Sequence, residues 1–339
     1  MSAAAKSAAV LLVLFAITLV WRMPSSNEGA QAEFSVGLVF DVGGLGDKSF
    51  NDSAYLGLMR AKKELQIGTT TIEPGDGSDR AAALRMLAAS GAGMVIGVGF
   101  IFTDDVLQVA GDYPKVAFVC LDMAVRDGQA LPANVLGLKF KEEQGSFLAG
   151  VFAALVSQTK HVGFVGGMDI PLIHKFSAGY RAGVMAQCAD CRVDVLFAGA
   201  TPHAFKDPGK GREMALSQYQ SGADIIFHAA GSTGLGVFQA AREQKRLAIG
   251  VDADQTSEAP EVVATSMVKR IDTAVFDAIA RAKSRAFKGG VVSLGLKEDG
   301  LELARNATNA KFFTEERVAV LDAYRRKIVD GAIEVPSHD

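Results

Sequence analysis

The chain has 339 residues, 49% hydrophobic and 22% charged, a balance that allows two folded domains and excludes a disordered chain. Its net charge of −3 offers no general attraction to nucleic acid or to anionic lipid, so a nucleic-acid binder is disfavoured. With 36 glycines against 9 prolines, short turns between regular elements are expected rather than proline-rich linkers.

Lys6 is the single charge ahead of an apolar run from Ala8 to Trp21, which is short for a membrane-spanning helix. A basic residue, a short apolar core and the small-x-small pattern Ala30-Gln31-Ala32 describe a secretory signal cleaved after Ala32. Arg22 follows the apolar run directly and the cleavage pattern lies well beyond it, so the alternative for residues 1–32 is a retained N-terminal anchor. No cysteine lies near this segment, which argues against a lipid carried on an N-terminal cysteine. Export places the three cysteines in an oxidising compartment. Cys188 and Cys191 form a C-x-x-C pair that could close a local disulfide, with a redox role the lesser alternative, and Cys120, inside the apolar run Val116–Leu121, is expected to be a small buried residue.

From Phe34 onward, short β-branched apolar runs alternate with amphipathic stretches. The runs are Phe34–Phe40, Thr69–Glu73, Gly93–Val98, Lys115–Leu121 and Val135–Leu138, then His161–Val165, Val193–Phe197, Asp224–His228, Leu247–Val251, Val262–Ser266 and Val291–Leu294. Helical spacing occupies Ser49–Leu65, Arg80–Ala89, Glu142–Val156, Lys175–Gln187, Gly211–Ser221, Leu235–Gln244 and Asp272–Phe287. Near-continuous apolar strands alternating with helices predict an α/β protein with parallel sheets covered on both faces. There are too many strands for one sheet of ordinary width, so two lobes are expected. The expected division is 34–140 plus about 252–288 for the first lobe, and 141–251 plus about 289–339 for the second. No Pro/Ser-rich tether separates them, so the crossings are short and act as a hinge.

In parallel α/β sheets ligands sit at the carboxyl ends of strands. Four of those ends carry a carboxylate just past the strand: Asp41, Asp122, the pair Asp252 and Asp254, and Asp272 beyond Lys269 and Arg270. Two carry glycine-rich loops, after Asp41 and at Gly231–Gly236. Gly44-Leu45-Gly46 lacks the third glycine of a dinucleotide fingerprint, and Gly231–Gly236 is no P-loop, so these turns let backbone approach a neutral ligand. Asp252 can accept from two neighbouring hydroxyls of a sugar, and Asp122 from the ring N–H of a purine. Phe50 beside the first glycine loop and Phe205 in the loop Gly199–Lys210 come from opposite lobes and can stack on both faces of a planar base, about 1–3 kcal/mol per face. No G-x-S-x-G elbow or H-E-x-x-H motif occurs and the five histidines do not cluster, so no catalytic site, metal or cofactor is expected.

Several stretches together are familiar. Val36–Asn51 (VGLVFDVGGLGDKSFN) resembles the opening motif of the basic membrane protein family of ABC-transporter substrate-binding proteins, which includes purine-nucleoside receptors. The resemblance continues in order through Phe205–Arg212 (FKDPGKGR), Gly222–Gly231 (GADIIFHAAG), Gly234-Leu235-Gly236, Val251–Gln255 (VDADQ) and Thr265–Arg270 (TSMVKR). It implies a type I periplasmic-binding fold of two Rossmann-like lobes with the ligand in the cleft between them. By motif, Phe50 and Phe205 correspond to the stacking aromatics, and Asp41, Asn51 and Asp122 to polar contacts of the first lobe. Asp252 corresponds to the ribose-hydroxyl acceptor, Lys269 to a second polar partner on the hinge side, and Gly231 to a point of backbone approach. The resemblance further implies a monomer outside the cytoplasmic membrane, periplasmic or attached to its outer face, that hands a nucleoside to a membrane permease. A ligand sensor of the same fold, signalling to a membrane partner, is the alternative. Most such proteins are lipoproteins, and this sequence departs from them in the missing signal cysteine.

Overall fold

The computed structural model describes residues 33–74, 79–126 and 128–338; the expected signal or anchor, residues 1–32, lies outside the described residues. The first lobe opens with β1 (Ser35–Val39), α1 (Phe50–Leu65), β2 (Gly68–Ile72), α2 (Arg80–Ala89) and β3 (Met94–Gly97). A 3-10 turn at Phe100–Phe102 leads into α3 (Thr103–Asp112), followed by β4 (Ala117–Leu121) and β5 (Val135–Phe140). The chain then enters the second lobe through α4 (Glu142–Val156), β6 (His161–Met168), α5 (Pro171–Gln187), β7 (Arg192–Gly199) and α6 (Pro208–Gln220). It continues with β8 (Ile225–Ala229), α7 (Thr233–Gln244), β9 (Leu247–Asp252) and β10 (Val263–Lys269). Last come α8 (Ile271–Lys283), β11 (Gly290–Leu294), β12 (Leu301–Leu303) and α9 (Glu315–Val329).

Two six-stranded sheets result, ordered β11-β5-β4-β3-β1-β2 and β12-β10-β9-β8-β6-β7. Every pairing is parallel except that of β12 with β10. Strands covered on both faces must be apolar throughout, and β3, β4, β6 and β8 are buried at every residue. The edge strand β2, with its three threonines, is half-exposed. In each sheet the winding reverses once, between β1 and β3 and between β6 and β8, which are the switch points where such sheets leave a crevice.

The lobe boundaries differ from the sequence expectation. β10 pairs with β9 and β12, so residues 263–269 belong to the second sheet, whereas β11 pairs in parallel with β5 and belongs to the first. Which sheet a strand joins is settled by its distant neighbour, and local pattern carries no record of that. The chain therefore crosses between lobes at Phe140–Glu142, at Lys269–Ile271 and between Leu294 and Leu301. The crossings lie side by side, tied by Lys141 N–H to Leu294 O and Arg270 N–H to Gly300 O, both 2.9 Å. Helix α4 sides with the second lobe because it packs against α5 backbone to backbone. A Cβ at Gly183 would collide with the carbonyl of Phe147. Helices α3 and α9 and strand β12 were not among the predicted elements; α9 buries only Leu321 and Ile328, too little for a clear amphipathic pattern. Cys188 and Cys191 are disulfide-bonded, and Cys120 is buried.

Candidate functional site

The two switch points face one cavity, lined from both lobes. Asp41, Phe50, Asn51 and Asp122 line it from the first lobe. Phe205, Gly231, Asp252 and Lys269 line it from the second. All eight sequence-selected residues thus meet at one place.

The first-lobe loop is shaped by Asp47. One of its oxygens accepts from Ser49 N–H (2.9 Å) and Asp52 N–H (3.1 Å), the other from Asn51 N–H (2.8 Å) and Asn51 Nδ2 (3.0 Å). This carboxylate caps α1 in place of the helix's own N-cap side chain and presents Phe50 to the cleft. Asn51 returns the support, its Oδ1 accepting from Asp41 N–H at 3.0 Å. Both Asn51 side-chain atoms are therefore engaged in holding the loop, which leaves a ligand one amide hydrogen and one lone pair of Oδ1.

The carboxylates stand in unusual surroundings. Burial pushes Asp41 up to about 7, against the hydrogen bond that Val42 N–H donates at 2.5 Å. Asp252 is pushed up to about 6 by burial, opposed by Lys269 and by the 2.6 Å hydrogen bond from Ser49 Oγ. Asp122 is raised by burial although Lys269 Nζ lies 2.7 Å from its Oδ2, and its Oδ1 is buried with no partner among the described residues. Asp122 and Asp252 also hold left-handed backbone, φ 52° and 64°, as does Lys48 at 55°. Such strain is uncommon outside glycine and gathers at functional sites.

Among the described residues Lys269 is the one cation lining the cavity, with 1% of its side chain exposed. Burial opposes its charge, and Asp122 and Glu142 (3.3 Å) more than offset that, so its ammonium is held above the ordinary lysine range. It also lies over the rings of Phe50 (5.1 Å), Phe140 (4.8 Å) and Phe176 (5.7 Å). Lys175 Nζ, 3.2 Å from Glu142, completes the hinge-side cluster.

In the second lobe Phe205 ends a 3-10 turn that is fastened to the β8–α7 loop. Ser232 Oγ donates to Phe205 O at 3.0 Å, and Thr233 Oγ1 to Ala204 O at 2.8 Å. The ring rests on β6 at Gly167, where any side chain would occupy its place. Sequence reasoning missed Phe100, Leu172, Ile173 and Phe176, which supply much of the apolar lining. The strand-end rule points to Phe100, three residues past β3, and to the start of α5 just past β6; applying it to carboxylates and glycines alone overlooked them.

Paired doubly wound lobes, joined by three short crossings and closed over a buried cavity, define a solute-binding protein of the type I periplasmic-binding class. The chain belongs to the family of PnrA-like ABC transporter substrate-binding proteins, whose match spans residues 34–339. It is 35% identical to the CD4+ T-cell-stimulating antigen of Listeria innocua, covering 92% of this chain and 90% of that one. It is 32% identical to the ABC transporter nucleoside-binding protein BmpA of Lactococcus lactis, covering 91% and 90%. The crystal structure of an ABC transporter solute-binding protein from Aeropyrum pernix superposes with a TM-score of 0.82 at 29% identity, over 90% and 93% of the two chains. The protein is accordingly a substrate-binding component of an ABC transport system.

Proposed function

We propose that the ligand is a nucleoside, with purine nucleosides the first candidates, captured by a monomer outside the cytoplasmic membrane and passed to the transporter's permease. One observation carries the reading. Phe50 and Phe205, from opposite lobes, line a cavity whose polar wall is mostly carboxylate acceptor, including Asp122 Oδ1, which has no partner among the described residues. A neutral ligand with a planar ring, N–H donors and adjacent hydroxyls matches such a wall; a nucleotide phosphate would meet Asp41, Asp122 and Asp252 instead of an anion cradle. Asp122 would accept from the base and Asp252 from the ribose hydroxyls, with Gly231 permitting close backbone approach. The name of the Lactococcus relative agrees with this choice.

Titration calorimetry with adenosine, guanosine, inosine and free ribose tests it. Binding of at least one nucleoside far more tightly than ribose is expected, because ribose forgoes both stacking faces. Equal affinity for ribose, or no heat with any nucleoside, would remove the nucleoside assignment and leave the substrate-binding role standing.

A further inference from the structure

We propose that Gln255 is a closure latch, a positioning residue that locks the cleft shut without touching the ligand. It lies three residues beyond β9, is 1% exposed and does not line the cavity. Its Oε1 accepts from Val251 N–H at 2.8 Å, and its Nε2 donates to the carbonyl of Lys48 at 2.9 Å. A backbone N–H can only donate and a carbonyl can only accept, so these two contacts admit one orientation of the amide. His228 Nε2 lies 3.1 Å from the same Oε1 and must therefore carry the ring hydrogen. Burial keeps this imidazole neutral, down at about 4, and its Nδ1 has no partner among the described residues, in keeping with that tautomer. The ring cannot shift, because it is wedged against Gly234 and lies edge-on to Phe238 at 5.1 Å.

Lys48 belongs to the first-lobe loop and Gln255 to the second lobe, so their bond exists only while the lobes are together. Ser49 Oγ to Asp252 Oδ2, 2.6 Å, crosses the same gap one residue on. The two bonds clamp residues 48 and 49 immediately before Phe50. Asp252 divides its carboxylate between Ser49 and the cavity, whereas Gln255 does not line the cavity, and only its Nε2 crosses the gap. Changing it therefore separates the latch from ligand contact.

The proposal rests on the nucleoside reading only for its ligand, and the experiment keeps the two apart. Gln255→Glu retains the acceptors for Val251 and His228, removes the donor and sets a carboxylate against the Lys48 carbonyl. Guanosine binding by stopped flow should show association within about twofold of wild type and dissociation at least tenfold faster, with Gln255→Leu behaving alike. Unchanged dissociation, or a slowing confined to association, overturns the latch. If wild type binds no nucleoside, the nucleoside reading fails, and the interlobe distance decides the latch. Spin labels at Met86→Cys and Leu196→Cys, exposed positions on opposite lobes, would report a closed population in otherwise wild-type protein as purified. That population should be depleted by Gln255→Glu, and an unchanged distance distribution overturns the proposal.

Discussion

Replacing Lys269 with methionine preserves most of the side-chain bulk against Phe50, Phe140 and Phe176 and deletes only the charge. The structure apportions the cost. Glu142 keeps a cation, since Lys175 Nζ remains 3.2 Å away. Asp122 keeps no cation in contact, because its Oδ2 is held by Lys269 and its Oδ1 has no partner among the described residues. Stranding one buried carboxylate places the loss near the lower end of the ~3–5 kcal/mol typical of broken buried pairs. Unfolding entropy of about 2.1 cal/mol/K per residue over roughly 300 residues converts ~3 kcal/mol into a fall of about 5 °C in melting temperature. The pH dependence identifies the cause. The folded-state pKa of Asp122 already lies above its unfolded value, and losing Lys269 raises it further. A carboxylate shifted in that direction costs stability increasingly as pH rises from about 4 through its folded pKa. The deficit of Lys269→Met should therefore be larger near pH 8 than near pH 5, because protonation of Asp122 relieves it. Thermal unfolding of both ligand-free proteins across that range is the assay. A deficit independent of pH would refute charge compensation and leave only lost packing.

Other outcomes follow from the same geometry. Phe50→Ala and Phe205→Ala should each weaken nucleoside binding by about 1–3 kcal/mol in calorimetry, and a variant that matched wild type would exclude that ring from the stack. Hydroxyl and N–H donors favour ionised acceptors, so a nucleoside should lower the pKa values of Asp41 and Asp252, which burial in the closed lobes pushes up to about 7 and about 6. Protons would then leave on binding and affinity would rise from about pH 5 to pH 8; a flat profile would mean that neither carboxylate accepts from the ligand. Reducing Cys188–Cys191 opens a loop of sequence separation 3, for which chain entropy sets the loss at roughly 2 kcal/mol. Melting with and without dithiothreitol should differ by about 3 °C, with nucleoside affinity unchanged.

The order of strands and helices was legible because it rests on local periodicity, and the strand-end carboxylates because a parallel sheet delivers every strand's carboxyl end to the same edge. Asp41, Asp122 and Asp252 could be named on that ground alone, with no knowledge of which strands are neighbours. The lobe membership of β10 and β11 could not, since it depends on pairing with β9 and β5. Phe100 and Phe176 were passed over because an aromatic near a strand end carries the same local signature as one in the core.

By itself the sequence determined a two-lobed α/β chain whose chemistry gathers at strand ends, since those properties are written in patterns a few residues long. Only the tertiary structure decided what each group faces. Lys269 meets Asp122 across 147 residues of chain and Gln255 meets Lys48 across 207, and nothing local records either encounter. Burial, which raises Asp41 and Asp252, is likewise a property of the closed lobes together, because it is the combined fold that removes water from both.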